Sequence, residues 1–465
     1  MADSSMPRTL FDKIWDDHLV DTRPDGRTLL YIDRHAVHEL HAPHAFGELD
    51  TTGRQVRRAD LTMVVQDHTV PTRPGLPLGS HHIDITRLGG RKYGVRVLDP
   101  AEAAHGIVHV VTPELGVALP GLTLACPDSH AATVGALGCL AFGCGTTELG
   151  HVLATQTMAL ARPKQMRVNF HGRLGRGVGA KDIALHLIRN VGVDAGRGYA
   201  IEYAGEAIRA LEVEARMTLC NMTIEWGGRT CLIAPDEKTF AFCQGRPAAP
   251  QGAEWEAAVA WWKTLPTDAG AVFDHEIDID CTAIAPQVTW GTDPAQAIAV
   301  TESIPEAATD PARIQGALDY MGLAGGGPIA GTPVDKVFIG SCSNSRLSDL
   351  RLAAEVVRGR QVAPGVTAIV VPGSSTVKRE AEHEGLDQVF IAAGFEWRNA
   401  GCSMCAGANG DIGAPGERVV STTNRNFENR QGRGVRTHLA GAAMAAAAAI
   451  AGRIVDVRDL LPEEA

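Results

Sequence analysis

No stretch of this chain is apolar for long enough to cross a bilayer. The longest uncharged apolar run, Leu439 to Gly452, is short and rich in alanine, whereas a spanning helix needs about 20 residues. It reads instead as a tightly packed buried helix. An apolar signal core is missing around Met1-Ala2-Asp3-Ser4-Ser5, so secretion is not expected. Cysteine is sparse: 10 in 465 residues is no disulfide scaffold, and a reducing, cytoplasmic compartment fits. Positive charge is in deficit, with 43 Lys and Arg against 54 Asp and Glu, a net charge of -11. No basic stripe with interleaved aromatics appears, so neither nucleic acid nor an acidic membrane surface is an expected partner. What remains is ordinary for a globular protein with real cores, 45% apolar and 21% charged residues, in a chain long enough for two to four domains.

Short β-rich runs alternate with helical segments along most of the chain. Strands are expected at Leu29 to Asp33, Leu61 to Val65, Ile107 to Val111, Val337 to Ile339 and Ala368 to Val371. Helices are expected at Leu10 to His18, Pro43 to Asp50, Ala180 to Asn190, Glu206 to Thr218, Leu347 to Arg358 and Gly441 to Ala451. This is the pattern of an α/β chain with mainly parallel or mixed sheets. Breaks fall at Arg162-Pro163-Lys164 and in the proline- and glycine-punctuated stretch from Cys281 to Pro294. They divide the chain into three α/β units at 1–165, 166–285 and 286–465. No repeat of fixed period is visible. Gly172 to Asp182 imitates a phosphate loop but matches neither G-x-x-x-x-G-K-[ST] nor a dinucleotide fingerprint, and reads as a turn into the helix from Ala180.

Cys342, in Gly-Ser-Cys-Ser-Asn-Ser-Arg, and the pair Cys402 and Cys405, in Gly-Cys-Ser-Met-Cys, form an odd-numbered ligand set. An electron-transfer 4Fe-4S cluster takes four thiolates, whereas three leave one iron open to water or substrate oxygen. An open iron is a Lewis acid, which points to hydration chemistry. A zinc half-site, a dithiol or buried structural cysteines fit the spacing almost as well. The flanks favour a bulky cofactor: glycine precedes the pair, small residues Ala406, Gly407 and Ala408 follow it, and Cys342 ends an apolar strand where α/β proteins hold ligands.

Polar clusters at strand ends supply further candidates. Asp67 and His68 follow the strand ending at Val65, and Asp128, Ser129 and His130 follow the run Leu122 to Ala125. One Asp-His loop is commonly a surface or capping feature; two are harder to dismiss. His109, placed in the expected strand Ile107 to Val111, could orient a carboxylate or be a core histidine. Asn221 and Glu225, four apart, would share a helix face, although a salt bridge at a helix end is the commoner use of such a Glu. Arg425 and Arg430, in a polar segment ending at Gly432, could clamp a di- or tricarboxylic acid bidentately or serve a salt-bridged loop.

Taken together these segments resemble the aconitase superfamily, and within it the branch that isomerises isopropylmalate. The motifs run in order from Leu10-Phe11-Asp12-Lys13-Ile14-Trp15 through Gln66-Asp67-His68, His151 to Thr157, Ala180-Lys181-Asp182 and Pro286 to Thr292 to both cysteine motifs and Asn424-Arg425-Asn426-Phe427-Glu428. The resemblance implies three α/β domains packed around one 4Fe-4S cluster per chain, held by Cys342, Cys402 and Cys405 with one open iron. It implies that His68, oriented by Asp67, is the general acid, that His109 with Asp128 and His130 with Glu225 fix protons nearby, with Ser129 beside them, and that Arg425 and Arg430 bind substrate carboxylate with Asn221 and Asn424 at hand. The superfamily's mobile fourth domain is missing, so a separate small subunit is expected to bring that swivel domain and the catalytic base. The implied reaction is isomerisation of a 2-substituted malate to its 3-substituted isomer by loss and return of water, with isopropylmalate the first choice.

Some positions depart from that branch's pattern: Pro127, Ala131, Val134, His44, Trp226, Asn429 and Ser343. Five of them (Pro127, Ala131, Val134, His44 and Trp226) are expected in or beside the pocket lining, where they could re-rank substrates toward citramalate, dimethylmalate or benzylmalate types. A cluster-free RNA-binding role is disfavoured by the acidic charge, and an electron carrier by the lack of a fourth nearby cysteine.

Overall fold

The computed structural model describes residues 6–78, 80–306 and 311–461. The N-terminal residues 1–5, read above for a signal core, and the chain end at 465 lie outside the described residues. Three parallel sheets dominate. The first runs in the order Arg96–Leu98, Thr62–Val65, Arg34–His38, Thr123–Cys126, Leu140–Gly143. The second places Thr230–Leu232, Tyr199–Ala204, Lys164–His171 and His275–Asp280 side by side. The third runs Glu396–Trp397, Thr367–Val370, Lys336–Ile339, Arg418–Ser421, Arg436–Leu439. An antiparallel three-stranded sheet and the ribbon of Gln287–Thr289 with Ala297–Ala299 complete the set.

In the first sheet the strands Thr62–Val65 and Thr123–Cys126 are buried at every position, as a parallel sheet covered on both faces requires, whereas in the second Lys164–His171 alternates and His275–Asp280 is largely exposed. In every one of the three sheets the first strand in sequence has the next two on one side and the later strands on the other. The strand order therefore reverses beside that first strand, and a crevice opens at the strands' C-terminal ends. In the first sheet the crevice lies between the ends of Arg34–His38 and Thr123–Cys126, and in the third between Lys336–Ile339 and Arg418–Ser421.

One apolar core joins the first two sheets and a second fills the third. Helix Ala442–Ala451 is buried along most of its length and lies against Leu347–Val357, where alanine allows close approach. The strands at Thr62–Val65, Lys336–Ile339 and Thr367–Val370 lie within a residue of expectation. Two segments differ. Ile107 to Val111 is not a strand: Val108–Glu114 is a helix, and the Asp67 carboxylate accepts the Val108 N–H at its start. A tertiary hydrogen bond there overrides the β-preference of a β-branched run. The helix expected at Glu206 to Thr218 is two, Glu206–Ala210 and Val213–Asn221. The buried Arg216 guanidinium folds back onto the Arg209 and Leu211 carbonyls and ends the first of them.

Candidate active site

The crevices of the first and third sheets meet. Strand Thr62–Val65 delivers Asp67 and His68, strand Lys336–Ile339 delivers Cys342, and the Asp67 carbonyl accepts the N–H of Cys402 at 3.0 Å across the junction. A small cavity of about 30 Å³ results, lined among others by Asp67, His68, His109, Asp128, His130, Asn424 and Arg430 together with Cys342, Cys402 and Cys405.

Asp67 works in two directions. One carboxylate oxygen accepts the Val108 N–H at 2.8 Å and the other meets His68 Nδ1 at 2.7 Å. With Nδ1–H donated to Asp67, Nε2 is the nitrogen left for the cavity. Beneath this loop lies Glu39, fully buried, whose carboxylate accepts the N–H groups of Asp67 (3.1 Å), His68 (2.7 Å) and Thr69 (2.6 Å) and the Thr69 hydroxyl (3.1 Å). The His38 ring stacks on His68 with centroids 4.4 Å apart. Burial alone would lower the His68 pKa, but Asp67 and Glu39 outweigh it and raise the group to about 10. Burial and the neighbouring Asp67 push Glu39 up to about 7, while burial and then His68 push His38 down to about 4. His38, Glu39, Asp67 and His68 bring possible ligand atoms within 4.8 Å of one another. Glu39 is nevertheless committed to N–H donors and Asp67 to Val108 and His68, so the group is a hydrogen-bond network and not a metal site.

Opposite stands a second chain of contacts. His109 Nε2 meets Asp128 at 2.8 Å, Asp128 accepts the His130 N–H at 2.7 Å, His130 Nε2 meets Glu225 at 2.8 Å, and Arg425 Nε donates to Glu225 at 2.9 Å. The Ser129 hydroxyl lies 3.3 Å from His130 Nδ1. Burial opposes a charged His130, but hydrogen bonds to Asp128 and Glu225 raise its pKa. Asp128 is held well below the carboxylate range by His109 and His130 despite its burial. Asn221 ends helix Val213–Asn221 and Glu225 sits in the 3-10 turn after it, so the two do not share a helix but both face the site.

The thiols are cradled by polar groups. Asn221 Nδ2 donates to Cys342 Sγ at 3.2 Å, Asn424 Nδ2 to the same sulfur at 3.5 Å, and the Ser341 hydroxyl lies 3.2 Å from Cys405 Sγ. Ser403, between the paired cysteines, has φ +47°, a left-handed conformation costly for a residue with a Cβ. Its hydroxyl donates to Asp411 at 2.8 Å, which also accepts from Thr72 and Asn409. Burial pushes the Cys342 thiol up to about 12 and the Cys402 thiol well above its ordinary range. A metal must displace those protons. Three soft, unpaired thiols at one end of a cavity, with amide and hydroxyl donors aimed at sulfur, fit an iron–sulfur cluster.

Asn221, Glu225 and Ser129 stand one contact behind the lining and Arg425 lies behind Glu225, while Arg430, its guanidinium over the Phe427 ring at 5.4 Å, is in it. None of the five departures expected in or beside the lining belongs to it. Ala131 and Val134 are core residues, His44 is exposed, Trp226 is buried against Tyr203, and Pro127 offers its carbonyl to His38. Asn429 sits at φ +66° and accepts the Gly434 N–H, a turn that asparagine tolerates nearly as glycine does. Glu39, His38, Asp411 and Lys181 were not singled out from sequence. Glu39 carries the signal that marked Asp67, a carboxylate just past a strand's C-terminal end.

The profile of the aconitase family (aconitate hydratase) matches residues 12–452. The chain is 53% identical over 462 residues to the 3-isopropylmalate dehydratase large subunit 1 of Bradyrhizobium diazoefficiens, and the alignment covers 97% of each. Among solved structures, the holo form of aconitase X from Thermococcus kodakaraensis aligns with a TM-score of 0.46 and 12% identity over 88% of both chains, too remote a likeness to carry any of the reading.

Proposed function

Because this chain belongs to the aconitase family, we propose that it is the large subunit of a 3-isopropylmalate dehydratase, a hydro-lyase that interconverts 2- and 3-isopropylmalate through loss and re-addition of water in leucine biosynthesis. The observation that carries this is the 53% identity, end to end, with a protein of that name. The cavity agrees in chemistry, joining acid, base and thiol groups in one enclosed space. With the five departing positions outside its lining, nothing favours another malate.

Cys342, Cys402 and Cys405 are proposed to hold a 4Fe-4S cluster, which when bound supplies a Lewis-acidic iron with an open position. His68, kept protonated by Asp67 and Glu39, offers its proton from Nε2 to the departing hydroxyl and recovers it when water returns. Asp128, flanked by His109 and His130, and Glu225, flanked by His130 and Arg425, set the protonation of the opposite wall. Arg430, with Arg425 paired to Glu225 nearby, draws the substrate's carboxylates to that end. Asn221 and Asn424 orient the sulfur ligands and the substrate edge nearest them. The three units 1–165, 166–285 and 286–465 are proposed as the domains that bring these groups together. We place the group that removes the carbon-bound proton on a separate small subunit, since the named relative is itself a large subunit. A cytoplasmic location follows from that role; no helix among the described residues is long and apolar enough to cross a membrane.

The test is substrate range. The iron-loaded chain with its small subunit should favour 3-isopropylmalate over citramalate and 3-benzylmalate in kcat/KM. A clear preference for either competitor would overturn the assignment.

A further inference from the structure

Among the described residues Lys181 is a buried cation without an ion-pair partner. It stands in the first turn of helix Ala180–Val191, is 2% exposed, and its Nζ donates only to neutral oxygens: the Thr423 carbonyl at 2.6 Å, the Thr422 carbonyl at 3.3 Å and the Ser343 hydroxyl at 3.4 Å. None of the ion pairs among the described residues involves it. An ammonium taken out of water without an opposite charge costs several kcal/mol, so something must offset it.

The nearby carboxylates are engaged elsewhere. Asp182 accepts the Gly179 and Gln287 N–H groups at 2.8 and 2.7 Å. Asp349 accepts from Asn344 and from the Arg346 N–H at 2.8 and 3.1 Å. Glu225 is taken by His130 and Arg425. Burial pushes the Lys181 ammonium down to about 8, and the negative charges that resist this most are Cys405 and Cys342, ahead of Glu225 and Asp349. Ser343 and Thr423, which it binds, are the immediate neighbours of Cys342 and Asn424. A thiol gives up its proton to bind a metal, so the thiolates that the lysine would face belong to the loaded site. Three thiolates outweigh the positive charge of a resting 4Fe-4S core and make the assembly an anion.

We propose that Lys181 is the counter-ion of the cluster site, desolvated in order to face the thiolates of Cys342, Cys402 and Cys405, and that its charge sets how firmly an anionic cluster is held and how readily it accepts an electron. This rests on the cluster reading above, and the two can fail separately. A wild-type chain that takes up no iron and sulfide removes both; a wild-type cluster indifferent to Lys181 removes only this one.

The experiment compares wild type, K181M, K181Q and K181R after anaerobic reconstitution with ferrous iron and sulfide. Three quantities are read: the melting temperature of the iron-free chain, the rate at which a chelator strips the cluster, and the midpoint potential followed by visible absorption and electron paramagnetic resonance. The proposal requires iron-free K181M to melt no lower than wild type, because methionine relieves an uncompensated charge. Its cluster should be stripped roughly tenfold faster or more, as loss of one nearby charge at low effective dielectric implies. The potential should fall in K181M and K181Q and return toward wild type in K181R. An iron-free K181M that melts lower or fails to fold makes Lys181 a structural residue and overturns the proposal. So does an unchanged potential in K181Q.

Discussion

His68 keeps its proton through neutral pH because two carboxylates surround it, Asp67 by hydrogen bond and Glu39 from beneath. On the proposed mechanism His68→Ala should lower kcat by roughly 100- to 10,000-fold, the usual range for a lost general acid. Iron and sulfide per chain should stay unchanged; loss of the cluster in that variant would make the residue structural. The same group gives a pH-dependence. Its folded pKa, about 10, lies above the ordinary 6.5, so its contribution to stability is fully present below pH 6.5 and is lost as pH rises through 10. Unfolding of the iron-free chain in urea between those limits should show wild type losing stability relative to His68→Asn; parallel curves would contradict the raised pKa. Glu39→Ala leaves three backbone N–H groups without their acceptor, and chemical denaturation should register a loss of about 2 kcal/mol or more. Asp67 and His68 were legible in sequence because two polar residues directly follow an apolar strand. Glu39 was not, because its importance lies in which backbone it receives, and that backbone is 28 to 30 positions away.

Elements carry the same lesson. The parallel strands Thr62–Val65, Lys336–Ile339 and Thr367–Val370 could be read from short apolar runs, and the cysteine motifs from their place at a strand end. What escaped was whatever depends on a side chain that engages backbone outside its own element, near or far in sequence. The β-branched run at Ile107 becomes a helix because Asp67 meets its first N–H, and the segment from Glu206 divides because Arg216 turns back on it. Arg216→Met should therefore free the Arg209 and Leu211 carbonyls and strip Asp236 of its cation, lowering stability by about 2 kcal/mol or more in denaturant titrations. The absence of a sequence repeat concealed one regularity, since the three sheets share a winding order although no period links them. The Cys402–Cys405 loop carries backbone strain at Ser403. Asp411 holds it through Ser403, and Asp411→Ala should lower the iron retained after desalting while far-UV circular dichroism stays that of the wild type. Full iron content in that variant would show the loop to be self-supporting.

At the scale of the molecule, two sheet crevices face each other and divide the labour, acid–base groups from one and thiols from the other, with Asn221 and Glu225 brought in from the end of helix Val213–Asn221 and the turn after it. That arrangement gives one wall of a reaction chamber a protonated imidazole and the opposite wall paired carboxylates and arginines. The proposed account assigns the proton-abstracting group to another polypeptide. Its central claim is therefore tested by mixing. Iron-loaded chain, small subunit and the two together are assayed on 3-isopropylmalate under anaerobic conditions, following appearance of the isomer. The account predicts turnover in the mixture and none in either part alone; full turnover by the isolated chain would contradict it.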